Sequence, residues 1–205
     1  MLAYSIGLIA TAVFSITGVL AAARQEMDIF TIAVIGVVTA LGGGTVRDML
    51  MDTPVFWLRN TSYLWIALLA ALLAFFGARL FQTTYRLLLY FDGLGVALFS
   101  LQALHKALAL KFTAPVAIAM AVLTGIGGGL IRDVLTGRPT LLMSRELYAT
   151  PILLGCSLYA LLRYWFPNFE GSDWIAFALI FGLRAAAIHW KLAMPNWLTF
   201  RNGER

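Results

Sequence analysis

Thr39-Ala40-Leu41-Gly42-Gly43-Gly44-Thr45-Val46-Arg47-Asp48-Met49-Leu50 returns 85 residues later as Thr124-Gly125-Ile126-Gly127-Gly128-Gly129-Leu130-Ile131-Arg132-Asp133-Val134-Leu135. Each copy ends a long apolar run and is followed at the same spacing by a proline, Pro54 or Pro139. Each glycine in a helix interior costs about 1 kcal/mol against alanine, and an Arg-Asp pair is expensive in lipid. Two adverse features duplicated together point to paired broken helices around a shared site.

Working outward, the composition names the solvent. Of 205 residues 61% are hydrophobic and 12% charged, against about 25% charged in soluble domains, and the mean hydropathy is +0.85. The chain is expected to be an all-α integral membrane protein. Its net charge of +5 is not gathered into a basic patch, so nucleic acid is not an expected partner. Membrane lipid is. The single cysteine, Cys156, lies among leucines and reads as packing. The first apolar run lacks a basic leader and a small-residue cleavage site, and reads as a retained span.

A spanning helix needs about 20 mostly apolar residues. Seven runs qualify: Leu2–Ala23, Ile29–Met51, Ser62–Phe81, Leu87–Leu108, Thr113–Leu135, Leu147–Phe166 and Asp173–Trp190. Short connections make residues 1–205 a single membrane domain. Trp57, Tyr63, Trp65, Tyr164, Trp165, Trp174 and Trp190 flank the spans and read as headgroup anchors. One side carries Arg24, Arg79, Arg86, Arg138, Arg145, Lys191, Arg201 and Arg205, and the other Arg59, Lys106, Lys111 and Arg163. The excess of positive charge inside puts the N-terminus outside and the C-terminus in the cytoplasm.

The repeat extends beyond the triplets. Phe14-Ser15-Ile16-Thr17-Gly18-Val19 matches Phe91-Asp92-Gly93-Leu94-Gly95-Val96. Each unit then holds three helices, repeat one over about 2–81 and repeat two over about 87–166, with a seventh helix at about 173–190. An odd number of spans reverses the second unit, giving an inverted 3 + 3 repeat whose site lies near the midplane.

On these motifs the chain resembles the prokaryotic trimeric intracellular cation channels, which share their repeat with bacterial membrane proteins proposed to transport glycine. The twin Gly-Gly-Gly-x-x-Arg-Asp motifs, the Phe-Asp-Gly-x-Gly opening of the fourth span and the seven-span plan carry the resemblance. It implies a homotrimer in a bacterial or archaeal inner membrane, each protomer enclosing a pore between its repeats, kinked at the triplets and passing monovalent cations, chiefly potassium. The alternative is a secondary transporter for a small solute such as glycine. Animal members carry Lys-Glu-Val after a glycine-rich break; Thr45-Val46-Arg47-Asp48 and Leu130-Ile131-Arg132-Asp133 stand here instead.

Each candidate group has two readings. Gly42, Gly43, Gly44, Gly127, Gly128 and Gly129 either let helices approach closely or open the backbone to a cavity, with a monovalent cation held by carbonyls near Gly43 and Gly128. In Arg47-Asp48 and Arg132-Asp133, sequence neighbours do not face one another on a helix, so each charge is expected to find another partner or to line the ion path. Asp92 either caps the fourth helix or offers a carboxylate at the inner mouth. Depth arguments pair Arg132 with Asp92 and leave Arg47, whose repeat-equivalent partner is the uncharged Ser15, to hydroxyls, carbonyls or water. Ser15, Thr17, Thr39, Ser100 and Thr124 suit a pore lining, or bond to their own backbone. Arg184 is expected to reach toward the cytoplasmic interface. His105 and His189 fall near opposite faces, and no nucleophile has a base beside it in sequence, so neither an enzyme nor a cofactor is expected; K+ and Na+ enter only as permeant ions.

Overall fold

The computed structural model describes residues 2–23, 25, 27–80, 85–144 and 146–195. Arg24, Arg145, Arg201 and Arg205 of the orientation count, and Phe81 at the end of the third run, lie outside them. Among the described residues there are eight α-helices: α1 Leu2–Ala22, α2 Ile29–Leu50, α3 Phe56–Arg59, α4 Ser62–Leu80, α5 Tyr85–Ala109, α6 Ala114–Leu135, α7 Thr150–Trp165 and α8 Ser172–Trp190. Seven coincide with the seven apolar runs to within three residues, and the four-residue α3 was not anticipated. Five, α1, α2, α5, α6 and α8, are long and apolar enough to cross a membrane; the apolar stretch of α4 and the whole of α7 are shorter.

The surface is apolar on most sides, with Phe30, Met49, Leu73, Phe76, Leu123 and Val134 exposed. Such a surface would aggregate in water and is at home in lipid. Polar groups sit inside instead. α2 packs on α1, α4 and α6, while α5 packs on α1, α6 and α8. Contacts between α1 and α4 are extensive, whereas α5 touches α7 less and is covered instead by α8, which lies against both α5 and α7.

The expected breaks at the triplets are absent: α2 and α6 run unbroken through Gly42–Gly44 and Gly127–Gly129. The physical reason is contact between the two helices. A Cβ on Gly43 would lie 2.7 Å from the Thr124 carbonyl oxygen and 3.0 Å from the Gly128 nitrogen, and one on Gly128 would lie 2.6 Å from the Thr39 carbonyl oxygen. Gly43 and Gly128, and Thr39 and Thr124, are each 85 residues apart, so the crossing maps onto itself. The glycines remove the side chains that would hold the backbones apart. An intact helix also keeps its carbonyls in its own ladder, which removes the premise for a cation site on carbonyls near Gly43 and Gly128.

Both helices end alike. Asp52 and Gly137 take left-handed φ of 50° and 61°, Thr53 N–H donates to Asp48 O and Arg138 N–H to Asp133 O, and Asp52 and Gly137 N–H donate to Met49 and Val134 O. This is a Schellman cap, and the proline beyond it prevents continuation. Asp52 occupies the glycine position of its cap, so Asp52→Gly is expected to stabilise the protein by about 1 kcal/mol, read as a higher unfolding midpoint in detergent; an unchanged or lower midpoint refutes it. At the other end of α2, the backbone N–H and hydroxyl of Thr31 bond the Asp28 carboxylate. They hold its carboxyl below the usual range, so this cap is present at neutral pH and lost as pH falls through that lowered value.

Candidate functional site: two buried ion-pair clusters

The motif arginines and aspartates are all buried, and they form two clusters at opposite ends of α5. At one end Arg132 Nη1 donates to Asp92 Oδ1 at 2.7 Å, as the depth argument required. At the other end Lys106 Nζ donates to Asp48 Oδ1 at 2.7 Å. Asp92 and Lys106 are 14 residues apart on α5, about 21 Å of helix. The C-terminus of α6 therefore lies beside the start of α5 and the C-terminus of α2 beside its end, so α2 and α6 run in opposite directions.

Adjacent charges do pair here, contrary to the spacing argument. Arg47 Nε donates to Asp48 Oδ1 at 2.7 Å and Arg132 Nε to Asp133 Oδ1 at 2.9 Å. Neighbours on a helix are about 100° apart, and the three-carbon arginine stem spans that angle when no water competes for the guanidinium. Arg47 is thus paired with Asp48 through Nε, and its buried Nη1 has no hydrogen-bond partner among the described residues. No Arg47–Asp133 or Arg132–Asp48 bridge forms among the described residues.

The second oxygen of each motif aspartate explains the proline spacing. Asp48 Oδ2 accepts from Phe56 N–H and Asp133 Oδ2 from Leu141 N–H, both at 2.9 Å and both eight residues on. Each aspartate holds the chain that leaves its helix while neutralising the arginine before it. The clusters differ in charge. Asp48 is shared by two cations and Arg132 by two carboxylates, so the first nets +1 and the second −1.

Asp92 is not a helix cap: α5 begins at Tyr85, and Asp92 sits in its interior with no exposure. Ser15, Thr17, Thr39, Ser100 and Thr124 are all buried. Thr39 and Thr124 donate to Ile35 O and Met120 O four residues back, Thr17 to Phe14 O, and Ser15 to Ala67 O on α4. Ser100 Oγ alone among these five hydroxyls has no partner. Gly42 abuts Ile131, Gly44 abuts Phe56 and Gly127 abuts Gly43. Arg184 is buried in protein: it is 1% exposed, donates from Nη1 to Leu147 O at 2.8 Å and lies over the Tyr148 ring. A guanidinium with a carbonyl and an aromatic face at hand is held without bulk water.

Three participants were missed by sequence reasoning. Lys106 was counted as a loop charge. Tyr63, read as a headgroup anchor, is buried against Phe56, and Tyr148 is buried beside Asp92 and Arg132. Tyr63 and Tyr148 are 85 residues apart, the offset of the triplets, and that signal was available. Trp65, Tyr164, Trp165, Trp174 and Trp190 are exposed as expected of anchors, and Cys156 is buried as expected of packing.

A family model described as Glycine transporter matches the chain twice, over residues 4–79 and 89–164, each match containing one triplet and one Arg-Asp pair. The chain belongs to this Glycine transporter family. Among its relatives is the UPF0126 inner membrane protein YadS of Escherichia coli K12, 36% identical over 206 residues, 99% of this chain and all of that protein. The fold is similar to the crystal structure of the TRIC trimeric intracellular cation channel orthologue from Rhodobacter sphaeroides, with a TM-score of 0.89 and 36% identity over 93% of this chain and 99% of that one. A prokaryotic TRIC channel crystallised in 0.5 M KCl superposes with a TM-score of 0.86 at 26% identity, covering 93% of this chain and 98% of that one. The resemblance read from the motifs is therefore shown. In this member of the Glycine transporter family the duplicated motif builds two ion-pair clusters on one frame.

Proposed function

We propose that this protein is a monovalent cation channel of a bacterial or archaeal inner membrane, with potassium the chief permeant ion. The observation that carries the reading is the superposition on solved cation channels over 93% of the chain. The buried charges of the two clusters support it, because intramembrane charges are retained where an ion path needs them. In this reading residues 1–205 form one domain of seven spans, two inverted three-helix repeats followed by α8. The pore lies between the repeats of each protomer, past Arg47, Asp48, Ser100, Asp92, Arg132 and Asp133. Three protomers assemble, with the N-terminus outside and the Arg132 cluster, net −1, toward the cytoplasm, where a carboxylate surplus draws cations.

Purified protein in a planar bilayer under a KCl gradient is expected to give unitary currents that reverse near the potassium equilibrium potential. Reversal near the chloride potential rules the reading out. Saturable glycine uptake without unitary events replaces it with the transporter reading that the family description carries.

A further inference from the structure

Apart from His105 Nε2 and Asp173 Oδ1, which lie 2.7 Å from one another, nine buried side-chain nitrogens and oxygens lack a hydrogen-bond partner among the described residues, and six gather around one tyrosine: Asp92 Oδ2, Arg132 Nη2, Glu146 Oε2, Tyr148 Oη, and Nε and Nη2 of Arg184. The point where a Cβ on Gly129 would sit lies 2.5 Å from Tyr148 Oη, 3.1 Å from Asp92 Oδ1 and 3.5 Å from Arg132 Nη2. On the ring's other contact the Arg184 guanidinium carbon is 4.9 Å from the ring centroid, and Arg184 Nη1 is 3.9 Å from Glu146 Oε2. Tyr148 is 4% exposed. It covers the Asp92–Arg132 pair.

Among the described residues of repeat one, Arg47 Nη1 is the motif atom left buried without a partner. At the equivalent of Gly129, a Cβ on Gly44 would meet the Phe56 ring at 2.6 Å, and Ser15 replaces Asp92. The duplicated frame is sealed by an aromatic ring in one copy and by a tyrosine over unsatisfied charges in the other.

The unsatisfied atoms carry both signs: three guanidinium nitrogens, two carboxylate oxygens and a hydroxyl. A bound cation would meet three unpaired donors, and an anion two unpaired acceptors. Water donates and accepts, and satisfies all six. A cavity of about 250 Å³ lined by Tyr85, Asp133 and Arg138 already comes to within one residue of Arg132.

What keeps water out is held by few contacts. After α8 the chain turns at Lys191, φ 53°, and returns over residues 146–148. Glu146 forms an isolated antiparallel bridge with Ala193, Leu147 N–H donates to Leu192 O at 3.3 Å, and Arg184 bonds Leu147 O. One bridge at the edge of a helical bundle opens more readily than a helix packed within it.

We propose that residues 146–148, strapped down by Leu192 and Ala193, are the gate at the Arg132 end of the ion path, and that releasing the strap lifts Tyr148 and hydrates the Asp92–Arg132 pair. The proposal rests on the channel reading. The strap holds Tyr148 down over the pair, while hydration of the six atoms that have no protein partner favours the lifted position, so the gate is poised between two positions.

The test is a lock. Antiparallel partners stand about 4.5–5.5 Å apart at Cα, within disulfide range, so Glu146→Cys and Ala193→Cys are introduced together with Cys156→Ala. Oxidised, the variant is expected to lose at least ten-fold in open probability, and dithiothreitol to restore it. Equal currents before and after reduction overturn the gate and leave the channel reading intact. A second measurement needs no current. In the wild-type protein the Leu147 amide is expected to exchange with deuterium at least ten-fold faster than the Leu153 amide, which bonds Ala149 O within α7. Equal protection overturns the gate. Fast Leu147 exchange with no unitary current in any variant upholds the strap's mobility and overturns the channel reading.

Discussion

Gly128→Ala is expected to destabilise the protein by about 2–3 kcal/mol, the upper part of the range for overpacking a close contact. The added carbon would stand 2.6 Å from the Thr39 carbonyl oxygen, and a backbone atom in the middle of a packed helix cannot step aside as a flexible side chain does. α2 and α6 must separate, and every contact along the crossing loosens with them. Gly43→Ala meets the Thr124 carbonyl at 2.7 Å and is expected to lose as much. The double variant should lose less than the sum, because one separation relieves both clashes. Gly77 and Gly182 provide the comparison, since nothing lies within 4 Å of a Cβ on either. Gly77→Ala and Gly182→Ala are expected to gain about 0.5–1 kcal/mol from helix propensity alone. Thermal unfolding of purified protein, followed by size-exclusion chromatography, orders the four variants. A Gly128→Ala protein as stable as Gly77→Ala would show that the crossing is not where the triplets act. Fold and current are expected to fall together at Gly43 and Gly128, since these glycines join the two helices.

The second large effect belongs to the pair with no exposure at either partner. Arg132 and Asp92 are each 0% exposed, and removing one partner of such a pair strands the other charge in a medium that cannot solvate it. Arg132→Met and Asp92→Leu are each expected to destabilise by about 3–5 kcal/mol. Arg132→Met should be the worse of the two, since it leaves Asp92 and Asp133 facing one another with only the Leu141 N–H to bond Asp133. In the double variant no charge is abandoned at position 92 or 132, and the loss is expected to fall well below the sum of the singles. A double-mutant cycle with no coupling would mean that the 2.7 Å contact contributes nothing. The matching change at the other cluster, Lys106→Met, should be milder, because the lysine side chain is 27% exposed and Asp48 keeps Arg47 and the Phe56 N–H.

How much of this was legible beforehand differs from residue to residue. The composition and the apolar runs pointed to a helical membrane protein, because the bilayer admits only segments that satisfy their own backbone. The repeat determined that α2 and α6 are equivalent, and the spacing of Asp48 and Asp133 from Pro54 and Pro139 carried the identical caps. Counting depth along helices was enough to pair Arg132 with Asp92, since helical rise is fixed. The use of the glycines could not be read the same way. A glycine lowers helix propensity whether it breaks a helix or admits a neighbour, and only the Thr39 and Thr124 carbonyls across the crossing decide between the two. Sequence separation also misjudged Arg47 with Asp48, because a rule for exposed helices assumes that water competes for the charge. Lys106, Tyr148 and Arg184 were placed by contacts between segments distant in the chain. The sequence alone was enough for the seven longer helices, their ends to within three residues, and the equivalence of α2 to α6. The tertiary structure alone decided which side of a helix meets which partner, because rotation about a helix axis is set by packing and not by the local chain.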